Sequence, residues 1–293
     1  MGKITGLKAI KGLIGILLIG AFFLGCGTSD NGVSGQASEQ AAFPKMQLVI
    51  GGSGTNIPIT RKLAEGFMRE NTDVSITITE SLGSSGGVKT ANKGLIDIGM
   101  VSRHLSPEEK TLGLQYLPYC KVLIAFAVHS GVNITGLTES QLLQIYSGQI
   151  KNWKQLGAND AQIVVLSREQ NDSSLEIWRN LIKGFNDLKP TLDINIMNTD
   201  QAMNEAISSI ENSIGFTDSG SIKIENLNAR LVSLNGIAPS NEMVKAGKYT
   251  YVKELAFVVK GKPNQTAQRF INYVKSVKGF GILSDYGYLP VKS

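Results

Sequence analysis

An order of strand, turn and helix repeats along the chain from Met46 onward, and this order limits the fold more than any other feature. Short apolar runs predict strands, whereas apolar residues three or four positions apart predict helices. The predicted strands are Met46–Gly51, Val74–Thr79, Ile96–Val101, Lys121–Val128, Gln162–Leu166 and Leu255–Val259, and the predicted helices are Ile59–Asn71, Gly86–Lys93, Thr138–Ser147, Ser174–Phe185, Asp200–Ile210 and Thr266–Ser276. Strands that alternate with helices indicate an α/β fold with a largely parallel sheet.

Two long apolar strands, Lys121–Val128 and Leu255–Val259, are candidates for crossovers between lobes. The 293 residues suffice for one large or two medium domains, and no internal linker interrupts the α/β pattern. We therefore predict two interleaved lobes rather than domains in series. Lobe one comprises 46–126 and 252–293, and lobe two comprises 127–251.

The N-terminus has the layout of an export signal. Three lysines in the first dozen residues precede an apolar stretch, Ile10–Leu24, that is short and interrupted by glycines. This pattern favours a signal peptide over residues 1–25, although an uncleaved membrane anchor is the alternative. The Ser-, Gly- and Gln-rich segment that follows predicts a flexible tether over residues 26–45.

The two cysteines have different predicted fates. Leu24-Gly25-Cys26 resembles the end of a bacterial lipobox, and this resemblance implies that Cys26 becomes the first mature residue and carries acyl chains such as palmitate. Cys120 lies in an apolar run and is predicted to be a buried free thiol. We therefore expect neither a disulfide nor a structural zinc site.

Composition excludes several classes of protein. Hydrophobic residues make up 42% and charged residues 18% of the chain, which fits neither a disordered nor a polytopic membrane protein. The formal charge is +5, but without the three leader lysines 26 basic residues face 24 acidic ones. With no cluster of basic and aromatic residues, we predict no nucleic-acid binding.

The sequence carries no pattern typical of catalysis. It has only two histidines, and neither belongs to a catalytic or metal-binding motif. The carboxylates are scattered, without the clustering that a metal site needs. We therefore predict that the protein is not an enzyme and uses no metal and no cofactor.

Three turns rich in Gly, Ser and Thr each follow a predicted strand and precede a predicted helix. They are Gly51–Asn56, Gly83–Gly87 and Ser167–Ser174. Such turns place free backbone N–H groups and hydroxyls at the positive end of a helix, which favours an anion, although each could simply cap its helix. Ser102, Arg103 and Arg168 also lie at strand ends, where ligands bind in open α/β sheets.

The order and spacing of several segments resemble the phosphate-binding lipoproteins of ABC-type phosphate importers. The segments are GSSGGVK at 83–89, DIGM at 97–100, LTESQLLQIYSGQIKNWKQLG at 137–157, IGF at 214–216, LAFVVKGKPN at 255–264 and ILSDYGYLPV at 282–291. The resemblance implies a two-lobed periplasmic binding protein fold of type II, the Venus-flytrap class, with the two crossover strands as hinge. It also implies a monomer that delivers phosphate to an ABC permease, in the periplasm or on the outer face of the cell membrane.

The resemblance further implies which residues grip the oxyanion between the lobes. They are Ser53, Gly54, Thr55, Asn56, Ser84, Ser85, Gly86, Ser102, Arg103, Arg168, Asp172, Ser173 and Ser174. The forked guanidinium of Arg168 suits a pair of phosphate oxygens.

One turn departs from the family pattern. Where the family usually has Gly-Ser-Gly-Thr, this chain has Asn171-Asp172-Ser173-Ser174. We hypothesise that Asp172 accepts a proton from the bound anion, which would exclude a fully deprotonated anion such as sulfate. The alternative is that Asp172 only caps the following helix. The departure also leaves open another oxyanion as ligand, or a sensor or adhesin without phosphate transport.

Overall fold

The computed structural model describes residues 45–188 and 193–291. Its strands are β1 (Met46–Gly52), β2 (Val74–Ser81), β3 (Ile98–Val101), β4 (Leu114–His129), β5 (Gly136–Leu137), β6 (Val164–Arg168), β7 (Ile194–Met197), β8 (Ser213–Asp218), β9 (Ala229–Leu231), β10 (Ser233–Leu234), β11 (Val252–Lys260) and β12 (Leu289–Pro290). Its helices are α1 (Ile57–Glu70), α2 (Gly83–Asn92), α3 (Pro107–Lys110), α4 (Glu139–Tyr146), α5 (Ser173–Leu181), α6 (Asp200–Ser209), α7 (Ser219–Glu225), α8 (Asn241–Lys245), α9 (Gln265–Val274) and α10 (Val277–Asp285). Short 3-10 turns cover Gly54–Asn56 and Trp153–Leu156.

The main sheet is mixed, so the expectation of a largely parallel sheet is wrong. Its order is β2-β1-β3-β11-β4-β8-β6-β7, and β9 and β12 also pair with β4. Strands β1, β2 and β3 pair in parallel, as do β6, β7 and β8. The two long strands β4 and β11 lie between these parallel groups and run antiparallel to each other and to their neighbours.

Two large apolar cores divide the sheet into lobes. The first lobe surrounds β1, β3, α1 and α9, and its core includes Leu48, Phe67 and Phe270. The second lobe surrounds β6, β8, α4, α5 and α6, and its core includes Trp153 and Trp178. Strand β4 contributes to both cores, with Cys120 in the first and Phe126 in the second. The 16-residue β4 therefore connects the lobes directly.

Most predicted strands and helices are confirmed, but their ends differ. Helix α2 begins at Gly83, so the predicted Gly83–Gly87 turn is the first turn of a helix. Gly83 has a φ of 68°, a backbone conformation that glycine adopts without strain. Helix α5 ends at Leu181 rather than at Phe185. The start of α2 at Gly83 places Ser84 and Ser85 in the first turn of that helix, and Ser173 is the first residue of α5.

The predictions for the N-terminus, namely the signal peptide, most of the tether and lipidation at Cys26, lie outside the described residues. Cys120 is buried and free, as predicted. Within residues 45–188 and 193–291, no helix has both the length and the apolar character to cross a bilayer.

Candidate functional site

A cavity of about 880 Å³ opens between the two lobes at the ends of β1, β3 and β6. Seven of the predicted site residues line it, namely Ser53, Ser84, Ser85, Arg103, Arg168, Asp172 and Ser173. Parallel strands in each lobe end at this cavity, and helices α2 and α5 begin there. The location is the one expected for a ligand in an open α/β sheet.

Three serines of the first lobe form a connected hydroxyl cluster, here called the serine wall: Ser53, Ser84 and Ser102. The hydroxyl of Ser102 lies 2.8 Å from that of Ser53 and 3.4 Å from that of Ser84. The Ser84 hydroxyl also accepts the backbone N–H of Ser102 at 3.2 Å. All three side chains are buried and carry no charge. The serine wall can therefore donate hydrogen bonds to an anion without an accompanying ion to desolvate.

The second lobe presents charge instead, in what we call the charged wall: Arg168, Asp172 and Asp200. Arg168 ends β6 and is 5% exposed. Its Nη2 lies 2.9 Å from Asp172 Oδ2, and its Nη1 lies 3.5 Å from Asp200 Oδ2. The Nε of Arg168 is buried without a hydrogen-bond partner. An unpaired buried donor of this kind is costly, and an oxyanion in the cavity would supply an acceptor.

The two lobes are in direct contact beside the cavity. Ser173 Oγ, at the start of α5, lies 3.0 Å from Ser102 Oγ of the serine wall. The side chain of Gln201 donates to the carbonyl of Gly54 at 3.0 Å. A Cβ at Gly54 would lie 2.5 Å from Asp200 Oδ2, so a larger residue here would displace the Asp200 carboxylate. The lobes are therefore in a closed arrangement around the cavity.

Thr55 and Ser174 belong to the contact between lobes rather than to the cavity lining. Thr55 donates to Asp200 Oδ1 at 3.0 Å. Lys253 Nζ donates to the hydroxyls of both Thr55 and Ser174 at 2.8 Å. Burial would raise the pKa of Asp200, but the positive charges of Lys253 and Arg168, together with the Thr55 hydrogen bond, hold it below its usual value.

Arg103 lines the cavity but has partners within its own lobe. Its guanidinium forms a two-pronged pair with Glu109, at 2.7 and 2.8 Å, and also donates to the Ser85 hydroxyl at 2.8 Å. The hydrogen bond to Glu109 raises the pKa of Arg103, and burial opposes it only partly. A guanidinium already held by a carboxylate has fewer donors left for a ligand.

The structure does not bring every predicted residue to the cavity. The amide of Asn56 donates to the Val101 carbonyl at 3.3 Å and to the Tyr119 hydroxyl at 3.0 Å, inside the first lobe. The carbonyl of Gly86, within α2, accepts the Thr90 hydroxyl at 2.7 Å. Asn56 and Gly86 are therefore engaged in local structure and do not line the cavity.

Asp172 caps helix α5, but capping is not its only contact. Its Oδ1 accepts the backbone N–H groups of Ser174 and Leu175 at 2.9 and 3.0 Å. Its Oδ2 pairs with Arg168. Each oxygen therefore has partners of its own, and Asp172 orients the guanidinium of Arg168. A role as proton acceptor for the anion stays a prediction.

Sequence reasoning missed Asp200, Gln201 and Lys253. Asp200 and Gln201 begin α6, which follows β7 after a Thr199 cap, so the rule that singled out the other turns could have found them. Lys253 offers no such signal, because it is one lysine at the start of an apolar strand. Among the described residues, no group of His, Cys, Asp and Glu is arranged to hold a metal ion.

Comparison with known proteins places the chain in a family. Residues 34–278 match the sequence profile of a PBP superfamily domain. A Clostridium perfringens protein, solved with bound phosphate and assigned to phosphate ABC transport as a substrate-binding protein, is 30% identical, with a TM-score of 0.74. That alignment covers 84% of this chain and 100% of the other.

Curated relatives give the same result. The phosphate-binding protein PstS of Borreliella burgdorferi is 27% identical over 252 residues, covering 83% of this chain and 90% of the relative. The protein of the same name from Bacillus subtilis is 26% identical over 291 residues, covering 95% and 94%. The chain belongs to the PBP superfamily, with the mixed α/β two-lobed fold of type II, in the group of phosphate ABC transporter substrate-binding proteins.

Proposed function

We propose that this protein captures phosphate between its two lobes outside the cytoplasm and delivers it to an ABC importer. The observation that carries the proposal is the junction at the cavity, where hydroxyls of both lobes lie 3.0 Å apart, beside a buried arginine whose Nε lacks a partner. The names of the relatives above support phosphate as the ligand.

The serine wall and the start of α5 would supply most of the donors. Ser53, Ser84 and Ser102 would offer hydroxyls from one side, and Ser173 at the start of α5 would offer its hydroxyl from the other, because Asp172 already accepts the N–H groups of Ser174 and Leu175. Arg168 would supply a charged donor, and a hydrogen bond to a charged group contributes about 1.5–3 kcal/mol. Binding of this kind forms no covalent bond, so we propose no catalytic step.

Closure around the anion would be a hinge motion. Strands β4 and β11 are the long antiparallel strands that pass between the lobes, and they are paired over nine register positions from Val252 to Lys260. Small backbone changes in two such strands can rotate one lobe against the other. The closed lobes would then present a combined surface to a membrane permease, and the protein would act as a monomer.

We propose that the mature protein is held at the membrane by lipid on Cys26. The supporting observation is the Leu24-Gly25-Cys26 sequence directly after the apolar stretch. Replacing the residue, Cys26→Ser, should move the protein from the membrane fraction to the soluble fraction, as followed by immunoblotting. Retention of the variant in the membrane would instead favour an uncleaved apolar anchor.

The test of the phosphate proposal is a calorimetric titration. The purified protein would be unfolded and refolded to remove any carried ligand, and then titrated with phosphate, arsenate, sulfate and molybdate at pH 5 and pH 8. Tight binding of phosphate with exclusion of sulfate is the expected result. A folded protein that ignores phosphate but binds another of these anions would overturn phosphate as the ligand. A folded protein that binds none of the four anions would favour a sensor or an adhesin.

A further inference from the structure

Lys253 is buried at the junction of the two lobes, where nothing in the sequence marked a functional residue. Its side chain is 1% exposed, which is rare for lysine unless the ammonium is paired. Its Nζ donates to Thr55 Oγ1 and to Ser174 Oγ, both at 2.8 Å. Thr55 belongs to the first lobe and Ser174 to the second, so one ammonium group joins the lobes.

The ammonium fixes the direction of the hydroxyl hydrogen bonds around it. An ammonium can only donate, so the oxygens of Thr55 and Ser174 must both act as acceptors towards Lys253. Thr55 then gives its own proton to Asp200 Oδ1 at 3.0 Å. The proton of Ser174 has no acceptor among the contacts of the described residues, and Ser174 directly follows Ser173, which lines the cavity. Lys253 therefore leaves Ser174, and not Thr55, with a proton to donate.

The charge of Lys253 also balances the cleft. Arg168 is shared between Asp172 and Asp200, so its single positive charge faces two carboxylates. With Lys253 included, two cations face these two carboxylates, and Lys253 also attracts Asp218, a third buried carboxylate whose pKa burial raises. Without Lys253, the charged wall would hold an excess negative charge in a buried space, where repulsion of an anion is strong.

We propose that Lys253 is a positioning residue for phosphate, whose ammonium neutralises Asp200 and turns the Ser174 hydroxyl towards the anion as the lobes close. This inference rests on the proposed phosphate-binding function. It assigns to Lys253 an action through Thr55, Ser174 and Asp200 rather than a direct contact with the ligand.

The proposal predicts that a second substitution restores the phosphate affinity lost by the first. General damage to the structure would instead lower the affinity further. Lys253→Met keeps the length of the side chain and removes its charge, and should weaken phosphate binding about 10- to 100-fold. Adding Asp200→Asn removes the carboxylate left without its cation. The double variant should therefore bind phosphate more tightly than Lys253→Met alone, within about 10-fold of the unmodified protein. Calorimetric titration of the full-length protein measures each affinity.

Lys260→Met is the matched control, because it removes an exposed lysine from the same strand. It should leave the affinity unchanged. The proposal is overturned if Lys253→Met binds phosphate as the unmodified protein does, or if the double variant binds more weakly than Lys253→Met. An unmodified protein that binds no phosphate would instead show the failure of the proposed function, and the inference would fall with it.

A second measurement tests the role of Lys253 without any variant, and can be used if Lys253→Met does not fold. Lysines of the unmodified protein would be acetylated with acetic anhydride, with and without inorganic phosphate, and counted by mass spectrometry. Because Lys253 is enclosed between Thr55 of one lobe and Ser174 of the other, opening of the lobes should expose it, and phosphate should slow its modification at least about fivefold and leave that of Lys260 unchanged. Equal rates at Lys253 in the two conditions, with phosphate bound, would contradict the inference.

Discussion

The two walls of the cleft both offer hydrogen-bond donors to an anion, but one wall is neutral and the other is charged. The serine wall joins three buried hydroxyls from one lobe, without charge. The charged wall places Arg168 between two carboxylates, with the side chains of Arg168 and Asp172 each 6% exposed. Neutral donors lose little when they are buried with partners, whereas a buried ion depends on every partner it has.

This difference indicates which residues can be substituted with little loss of phosphate affinity. In the serine wall each hydroxyl has neighbours that can take over part of its role, because a hydroxyl both donates and accepts. In the charged wall, loss of one ion leaves an opposite charge buried without a partner. Removal of Arg168, the cation of this wall, should therefore have a larger effect on binding than removal of a hydroxyl from the serine wall.

The largest expected effect follows removal of Arg168. Arg168→Met removes the charged donor with the free Nε and leaves Asp172 and Asp200 facing the anion. We expect phosphate affinity to fall by at least about 100-fold, since breaking a buried ion pair costs about 3–5 kcal/mol. Calorimetric titration with phosphate at pH 8 measures the loss.

Arg103→Met is the control for Arg168, because both arginines line the cavity at the ends of strands. Arg103 is paired with Glu109 and its side chain is 22% exposed. Its removal should lower phosphate affinity by less than about 10-fold. Equal losses for the two arginines would contradict the distinction between them, and would restore Arg103 as a principal ligand.

The contrast between these arginines also shows which features of the site can be predicted from the sequence and which cannot. The strand and helix pattern, the lobes' shared strands and the turns beside the cavity all follow from local periodicity and turn residues. Arg103 and Arg168 have similar local surroundings in the sequence, each directly after a serine at a strand end. Only tertiary pairing, with Glu109 in one case and with Asp172 and Asp200 in the other, separates their roles.

Lys253 is a second residue whose role depends on tertiary contacts that the sequence pattern does not predict. It meets Thr55, which is 198 positions away in the chain, and Ser174, which is 79 away. No local pattern encodes such a contact, because only the tertiary fold brings β11 beside Thr55 and Ser174. The mixed character of the sheet escaped prediction for the same reason, since strand direction at β4 and β11 depends on where a distant strand pairs.

A second effect concerns the selectivity of the charged wall. Asp172→Asn keeps an oxygen for the cap of α5 but removes the charge paired with Arg168. We expect sulfate affinity to rise about 10-fold while phosphate affinity changes less, because a carboxylate that repels an unprotonated anion has been lost. Parallel titrations with the two anions measure the ratio.

Asp172→Ala separates the cap from the charge. It should change selectivity as Asp172→Asn does and also lower the free energy of unfolding by about 1 kcal/mol, the usual cost of losing a helix cap. Denaturant unfolding of both variants checks this. Continued exclusion of sulfate by both would show that Asp172 acts only as a cap and as a partner of Arg168.

A smaller effect is expected in the serine wall. Ser102→Ala removes the hydroxyl that lies within 3.4 Å of Ser53, Ser84 and Ser173, but the remaining hydroxyls can turn towards the anion. Loss of one neutral hydrogen bond costs about 0.5–1.5 kcal/mol, so phosphate affinity should fall about 2- to 10-fold. A loss as large as that of Arg168→Met would show that the serine wall is not the more tolerant side.

The smallest effect on binding, and a distinct effect on stability, is expected at Asp218, the buried last residue of β8. Asp218 is 4% exposed, and its burial raises its pKa from 3.8 to about 6, although the Ser221 side chain and backbone N–H oppose the rise. The folded protein therefore binds more protons than the unfolded chain between these values. This group's contribution to the free energy of unfolding should rise as the pH falls from about 7 to about 4, by on the order of 3 kcal/mol.

Asp218→Asn tests this pH dependence, because it keeps an oxygen for the N–H of Ser221 while removing the ionisation. The melting temperature of the unmodified protein, relative to that of the variant, should rise between pH 7 and pH 4, and phosphate affinity at pH 8 should change by less than about threefold. A constant difference in melting temperature across this range would mean that Asp218 ionises as readily in the fold as in the unfolded chain. In that case the positive charge of Lys253, which lowers the pKa of Asp218, would offset the effect of burial on this carboxyl group.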